Sequence, residues 1–212
     1  MSITISGETQ MIEKDLNPTL LCTRGKTTFC IDTNDVNNVK TLYHITEVAD
    51  NSYNIVDISN IPQDIGLEIG NVISMDCGLY HLCLVDNSFN LYTYAYIGDY
   101  PTDSSLNYYR LNSILGSPET VPSDILFNIF YCVDISNNDP IISVHCGFEH
   151  TVCKTKHNMV YAFGNNECGQ LGRGSYSYLE DTSEDEEIMY PNVVKLMCRM
   201  KTMLVNSQTI LR

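Results

Sequence analysis

A chain of 212 residues with 43% apolar content can bury roughly 70% of the surface its unfolded form exposes, and it holds no run approaching the ~18 apolar residues of a membrane-spanning helix. Twelve Lys and Arg stand against 26 Asp and Glu, a formal charge of −14. That is the wrong sign for gripping a nucleic-acid backbone, which takes clustered cations.

Residues 1–16 carry acids where an export signal needs a basic end and an apolar run, and no Asn-x-Ser/Thr acceptor with x other than proline occurs. Both features point to cytoplasmic or nuclear residence. Ile3-Thr4-Ile5-Ser6-Gly7 reads as a short strand patterned like Val160-Tyr161-Ala162-Phe163-Gly164. Pairing of the two termini in one blade would close a small ring; an open arc is the preferred reading.

The first repeated phrase lies near 20–45, with Gly25 as its turn, Thr28-Phe29-Cys30-Ile31 as a strand and Leu42-Tyr43 as the next. Residues 46–71 read as a polar connection. The phrase returns at 72–96, where Cys77-Gly78 is followed by His81 and by Leu91-Tyr92-Thr93-Tyr94. A long connection, 97–140, has room for a hairpin or short helix, with a helical turn at Asn112–Leu115 and strand-like residues at Ile125–Val133. The clearest copy is 141–174: Cys146-Gly147, His150, Val160-Tyr161-Ala162-Phe163, then a loop punctuated by Gly164, Gly169, Gly172 and Gly174. Incomplete fourth residues, 191–212, follow, with Val205 standing where the earlier copies have glycine. A period of about 50–70 residues signals a propeller or array, and the expected architecture is all-β: one repeat domain over 1–212, a partial or small propeller of three to four antiparallel blades.

Each part of the phrase has a physical reason. Alternation along 150–155 and 160–163 is the period-two mark of half-buried strands. Gly78 and Gly147 are expected at positive φ in tight strand reversals, where glycine carries no steric penalty. Strands are expected at 141–145, 150–155 and 159–163, and at 72–76, 81–85 and 90–95. The nine cysteines are an odd count and read as reduced packing residues, Cys77, Cys83, Cys146 and Cys153 above all.

This order of strand, Cys-Gly turn, His-led strand and glycine loop resembles the repeat of the regulator of chromosome condensation family, a seven-bladed β-propeller. The two central copies carry the resemblance; Gly78, His81, Gly147, His150, Gly164, Gly169 and Gly172 are the repeat positions. It implies a binding scaffold, a nucleotide-exchange factor for a Ran-class small GTPase, or a chromatin-docking surface. The acidic charge argues against the last.

Chemistry is sparse. His145, Cys146, His150, Cys153 and His157 lack the paired ligand spacing of a zinc knuckle, so no metal is expected. Residues 164–171 have phosphate-loop glycine spacing, but Gln170-Leu171 replaces the Lys-Ser/Thr pair. No nucleophile elbow or metalloprotease helix occurs, and neither an enzyme nor a cofactor is expected. Glu184, Asp185, Glu186 and Glu187, within the acidic run 180–187, read as a solvated rim loop and as the candidate contact for a basic protein partner; Ser183 before them fits an acidophilic kinase. The reading favoured is a non-catalytic protein-interaction module, with exchange on a small GTPase as the alternative and no nucleic-acid or membrane partner.

Overall fold

The computed structural model describes residues 2–7, 10–34, 37–49, 52–60, 65–96, 114–116, 130–133, 135, 139–172 and 194–196. The described chain is all-β. Its strands, in chain order, are β1 (Ser2–Gly7), β2 (Gln10–Asp15), β3 (Pro18–Arg24), β4 (Thr27–Asn34), β5 (Val39–Ala49), β6 (Ser52–Asp57), β7 (Val72–Cys77), β8 (His81–Asp86), β9 (Leu91–Ala95), β10 (Phe130–Val133), β11 (Ile141–Cys146), β12 (His150–Thr155), β13 (Val160–Gly164) and β14 (Val194–Leu196). The two central copies of the phrase fold into the expected strands within a residue at each end.

Three sheets result, ordered β2-β1-β6-β5-β4-β3, β10-β9-β8-β7 and β11-β12-β13-β14. Within β3–β6, β7–β10 and β11–β14 every neighbour is antiparallel and sequential. Each set is an up-and-down blade. The first strands β3, β7 and β11 pack side by side, so the blades fan from a common inner edge into an open propeller arc.

Several expectations are corrected by this layout. Residues 46–71 are not a plain connection: they hold the end of β5 and all of β6. The Ile3–Gly7 strand does not pair with β14, the last described strand; β1 lies beside β6 in parallel and forms a hairpin with β2, extending the first sheet. Val194–Leu196, placed by the sequence in a fourth repeat, pairs with β13 as the outer strand of the third blade. In the 97–140 connection, Ile114 and Leu115 form a buried helical turn, and the Leu115 carbonyl accepts the Thr93 hydroxyl at 2.8 Å.

The middle blade is buried on both faces. Every residue of β8 and β9 is buried. Leu82, Leu84, Tyr92 and Tyr94 face the first blade, where Phe29, Ile31, Leu42 and Ile58 meet them. Cys83, Val85 and Leu91 face the third, against Val144, Cys153, Tyr161 and Phe163. Burying such side chains contributes about 1.5–3 kcal/mol each, and a strand clothed on both faces reads as a continuous apolar run, as His81–Asp86 very nearly does. Cys22, Cys30, Cys77, Cys83, Cys146 and Cys153 are buried free thiols, small enough for these interfaces.

Two devices recur in all three blades. Each inner strand has a bulge at its second position, between Pro18 and Leu20, Val72 and Ser74, and Ile141 and Ser143, which sharpens local twist. Each middle hairpin has one non-glycine residue at positive φ: Asn38 (54°), Phe89 (68°) and Asn158 (60°). Asparagine is the side chain that tolerates this region best after glycine.

Candidate interaction surface

The C-terminal ends of β3, β7 and β11 reach the same end of the molecule, and the turns that follow them meet there. Leu79 donates its N–H to the Phe148 carbonyl at 2.7 Å, joining the second and third blades. From the first blade, the Arg24 guanidinium donates to the Cys146 carbonyl at 2.8 Å and to the Cys77 carbonyl at 3.4 Å. Its carbon lies 5.9 Å from the centre of the Phe148 ring, a cation–π distance. One cation therefore collects carbonyls from two other blades under an aromatic side chain that remains 62% exposed.

The glycine-punctuated loop packs beside this group. Asn165 donates through its backbone N–H to the Glu149 carbonyl at 2.8 Å and through its amide to the Glu149 carboxylate at 2.6 Å. The Asn166 side chain accepts the Leu171 N–H at 2.9 Å, and its carbonyl accepts the Gly169 N–H at 3.0 Å. Gly164 (φ 109°), Gly169 (74°) and Gly172 (64°) adopt angles that a side chain would disfavour. At Gly164 an added Cβ would also strike the Glu149 carbonyl. The loop is thus a compact turn tied to Glu149, which leaves Phe148, Glu149 and Glu167 on one rim with Arg24.

Gly78 and Gly147 are needed for a different reason from the one expected. Neither is at positive φ. A Cβ on Gly78 would collide with the His81 ring, and one on Gly147 with the His150 ring. The backbone pairs the same residues, since Gly78 and Gly147 each donate an N–H, at 2.8 Å, to the carbonyl of the histidine three residues on. The imidazole occupies the space a side chain on the glycine would fill, and the Gly-x-x-His spacing is one packing unit. In the first blade Arg24 pairs with Thr27 at this place in the register; Gly25 (φ 58°) only turns the chain.

The His81 ring reaches across to the next blade instead of bonding its neighbouring backbone. Its Nε2 meets the Thr151 hydroxyl of the next blade at 2.9 Å. Cys83 and Cys146 approach the same hydroxyl at 3.4 and 3.9 Å. Sequence spacing could not reveal this meeting, because His81 and Thr151 come from different blades. His81, Cys83 and Cys146 offer ligand atoms within 4.8 Å of one another, as do Cys22, Asp76 and Cys77. The Thr151 hydroxyl already engages the first trio. In the second, the hydrogen bond between Cys22 and Cys77, with burial, pushes the Cys22 thiol far up. Burial, then the Cys83 thiol, does the same to Cys146. These are thiols held protonated, not activated nucleophiles. Burial, reinforced by His81 and Arg24, lowers the His150 pKa and keeps that ring neutral.

His157, one of the histidines considered as a ligand, instead pairs with Asp139 at 2.6 Å, and His145 is exposed on β11. Glu184, Asp185, Glu186 and Glu187 lie outside the described residues, as does Ser183. Gly172, the last described residue before that run, sits at the rim.

Comparison with known proteins agrees with this geometry. Residues 141–170, covering β11 to β13 and most of the glycine loop, match the regulator of chromosome condensation (RCC1) repeat. The chain is 42% identical over 57 residues to the X-linked retinitis pigmentosa GTPase regulator of Mus musculus, and 34% identical over 62 residues to the E3 ubiquitin-protein ligase highwire of Drosophila melanogaster. These matches cover 27% and 29% of this chain but only 5% and 1% of those proteins. Among solved structures, human WBSCR16 aligns with a TM-score of 0.48 at 14% identity, over 76% of this chain and 38% of that one. Prp20p from Saccharomyces cerevisiae aligns at 0.46 and 14%, over 75% and 36%. With its glycine–histidine unit and most of its glycine loop in place, the segment 141–170 carries a regulator of chromosome condensation repeat.

Proposed function

We propose that this chain is a non-catalytic protein-interaction module that works through the rim formed by Arg24, Phe148, Glu149 and Glu167. The observation that carries the reading is Phe148, a large aromatic side chain 62% exposed at the tip of a turn that three blades hold rigid. Rigid exposed aromatics beside charge are what recognition surfaces use as anchors, and propellers hold such loops on a stiff frame. Among the described residues, the rim has no nucleophile with an adjacent base. Glu149 and Glu167 give the rim negative charge, and the acidic run 180–187 follows Gly172 eight residues later in the sequence, a balance that suits a basic protein partner in the cytoplasm or nucleus.

A second reading is nucleotide exchange on a small GTPase. It is favoured by one relative, which is by name a GTPase regulator, and by the yeast structure, whose subject was studied for binding to Gsp1p and histones. Capture of partners from native cells, followed by binding kinetics with Phe148→Ala, separates the readings. A scaffold loses affinity with Phe148→Ala and leaves nucleotide release from any captured GTPase unchanged; an exchange factor accelerates release. Unaltered affinity of Phe148→Ala for every partner would remove the rim from consideration. Neutralising Glu184, Asp185, Glu186 and Glu187 slows association at low salt and has little effect at high salt if the acidic run steers a basic partner.

A further inference from the structure

The seam between the second and third blades is tight along its inner edge. The Ser74 hydroxyl accepts the Val144 N–H at 3.2 Å and Asp76 accepts the Cys146 N–H at 2.8 Å, which satisfies backbone donors of β11. At the end opposite the Phe148 rim the seam opens into a cleft of about 330 Å³. Leu91, Val133, Ile135 and Pro140 supply apolar walls, with Phe89 on the hairpin tip and Asp139 on the segment entering β11. Among the described residues, no lining side chain is a cation. The matching place between the first and second blades is filled differently. Counting along the paired strands puts Lys40 in the first blade where Phe89 stands in the second. Gly70, two residues before β7, stands where Asp139 stands before β11. Lys40 lines that first cleft, and its Nζ donates to the Gly70 carbonyl at 3.1 Å. The first cleft thus holds a lysine of this chain; the second has an aromatic ring in place of the lysine and a carboxylate in place of the glycine.

Phe89 is also out of keeping with its conformation. It takes a φ of 68°, in the region that Asn38 and Asn158 adopt in the other two hairpins, and a bulky side chain is disfavoured there by steric crowding. Its ring stays 37% exposed, so core packing does not offset that strain. Strain of this kind gathers at binding sites. We propose that the cleft is a lysine-binding site, taking the side chain of a lysine on a partner protein as the first cleft takes Lys40. The methylene stem lies along Val133 and Pro140, and the ammonium sits between the Phe89 ring and the Asp139 carboxylate. Cation–π attraction and an ion pair with a side chain only 10% exposed then act on one charge. Asp139 already accepts His157 on Oδ1 at 2.6 Å, and a carboxylate has lone pairs for further donors. The chain's formal charge of −14 favours a cationic group over an acidic one. The site is separate from the Phe148 rim, so Phe148→Ala leaves it untouched.

The test is proton–nitrogen NMR on the full chain, titrated with the peptide acetyl-Gly-Lys-Gly-amide and with the same peptide carrying norleucine. The lysine peptide should shift the Phe89, Asn90, Leu91 and Ile141 amides with a dissociation constant of about 1–10 mM, and the norleucine peptide should not. Asp139→Asn should weaken binding at least about threefold, within the range of a single partly exposed ion pair. Phe89→Asn, which restores the residue of the other hairpins, should abolish the shifts without lowering the melting temperature. Phe89→Lys should abolish them too, since the chain then fills the cleft itself. Amides of Phe29–Leu42 report global folding and should not move in any variant. Equal shifts from the norleucine peptide, no cleft shifts at about 20 mM lysine peptide, or unchanged affinity in Asp139→Asn and Phe89→Asn would each overturn the assignment. Weaker binding in Phe148→Ala would also overturn it, since the lysine would then be read at the rim.

Discussion

The second and third blades share one strand pattern and differ in what surrounds them. In the second, His81, Cys83, Val85 and Leu91 are fully buried against a neighbour; in the third, the equivalent His150, Val152, Lys154 and Val160 are half-buried or exposed. Lys154 stands where Val85 is buried. The same local sequence logic thus gives an interior blade when both faces are clothed and an end blade when one is not. Repeat proteins behave this way because each unit is stabilised mainly by its nearest neighbours.

That contrast predicts a graded set of outcomes. The largest concerns the glycines. Gly78→Ala pushes a methyl group into a buried His81 ring that Thr151 holds in place, and the new carbon also comes within 2.8 Å of the Gly147 carbonyl. A loss of about 3 kcal/mol is expected by overpacking, measured by urea unfolding. Gly147→Ala meets a His150 ring with room to swing and should cost about 1 kcal/mol. Equal losses would mean that the two blades are equally confined.

Next come the side chains on the same face. Leu91→Ala should cost about 3 kcal/mol and Val160→Ala less than about 1 kcal/mol, since only the first leaves a cavity. A smaller effect follows from Thr151→Val, which leaves the His81 Nε2 without its partner; Nδ1 has no partner already. A loss of about 2 kcal/mol is expected, whereas a change at the exposed His145, such as His145→Ala, should be nearly silent.

A pH effect sharpens the comparison from the first blade. His44 stacks on Phe29 at 4.6 Å, and burial lowers its pKa to about 4. Its folded value lies below the unfolded 6.5, so the unfolded chain binds the extra proton first. Stability is therefore full above pH 6.5 and falls between 6.5 and 4, by about 1–2 kcal/mol after allowance for partial exposure. His44→Phe should flatten that part of the melting profile; an unchanged profile would assign the acid sensitivity elsewhere.

The blade hairpins were legible in the sequence because Cys-Gly-x-x-His and the apolar alternation are local signals. Gly164, Gly169 and Gly172 were legible as a loop for the same reason. The first blade was harder to see, because Arg24 and Thr27 replace its glycine and histidine and β6 is polar enough to read as a connection. What no local pattern could show is the seam. Ser74 and Asp76 look like ordinary strand polar residues until the backbone donors they serve, seventy residues on, are in place. The role of Gly78 and Gly147 was misread for a related reason: a glycine beside a turn suggests backbone freedom, and only coordinates reveal a ring lying against its Cα.

Arg24 has a consequence for how the molecule assembles in time. Its bond to the Cys146 carbonyl joins residues 122 positions apart, whereas the hairpins close over a few residues each. Loop-closure entropy delays such a contact until the sheets have formed and stacked. It should be absent from the folding transition state and present only in the finished arc. Arg24→Ala would then leave the folding rate nearly unchanged and accelerate unfolding, making this one guanidinium a latch on the kinetic lifetime of the native state.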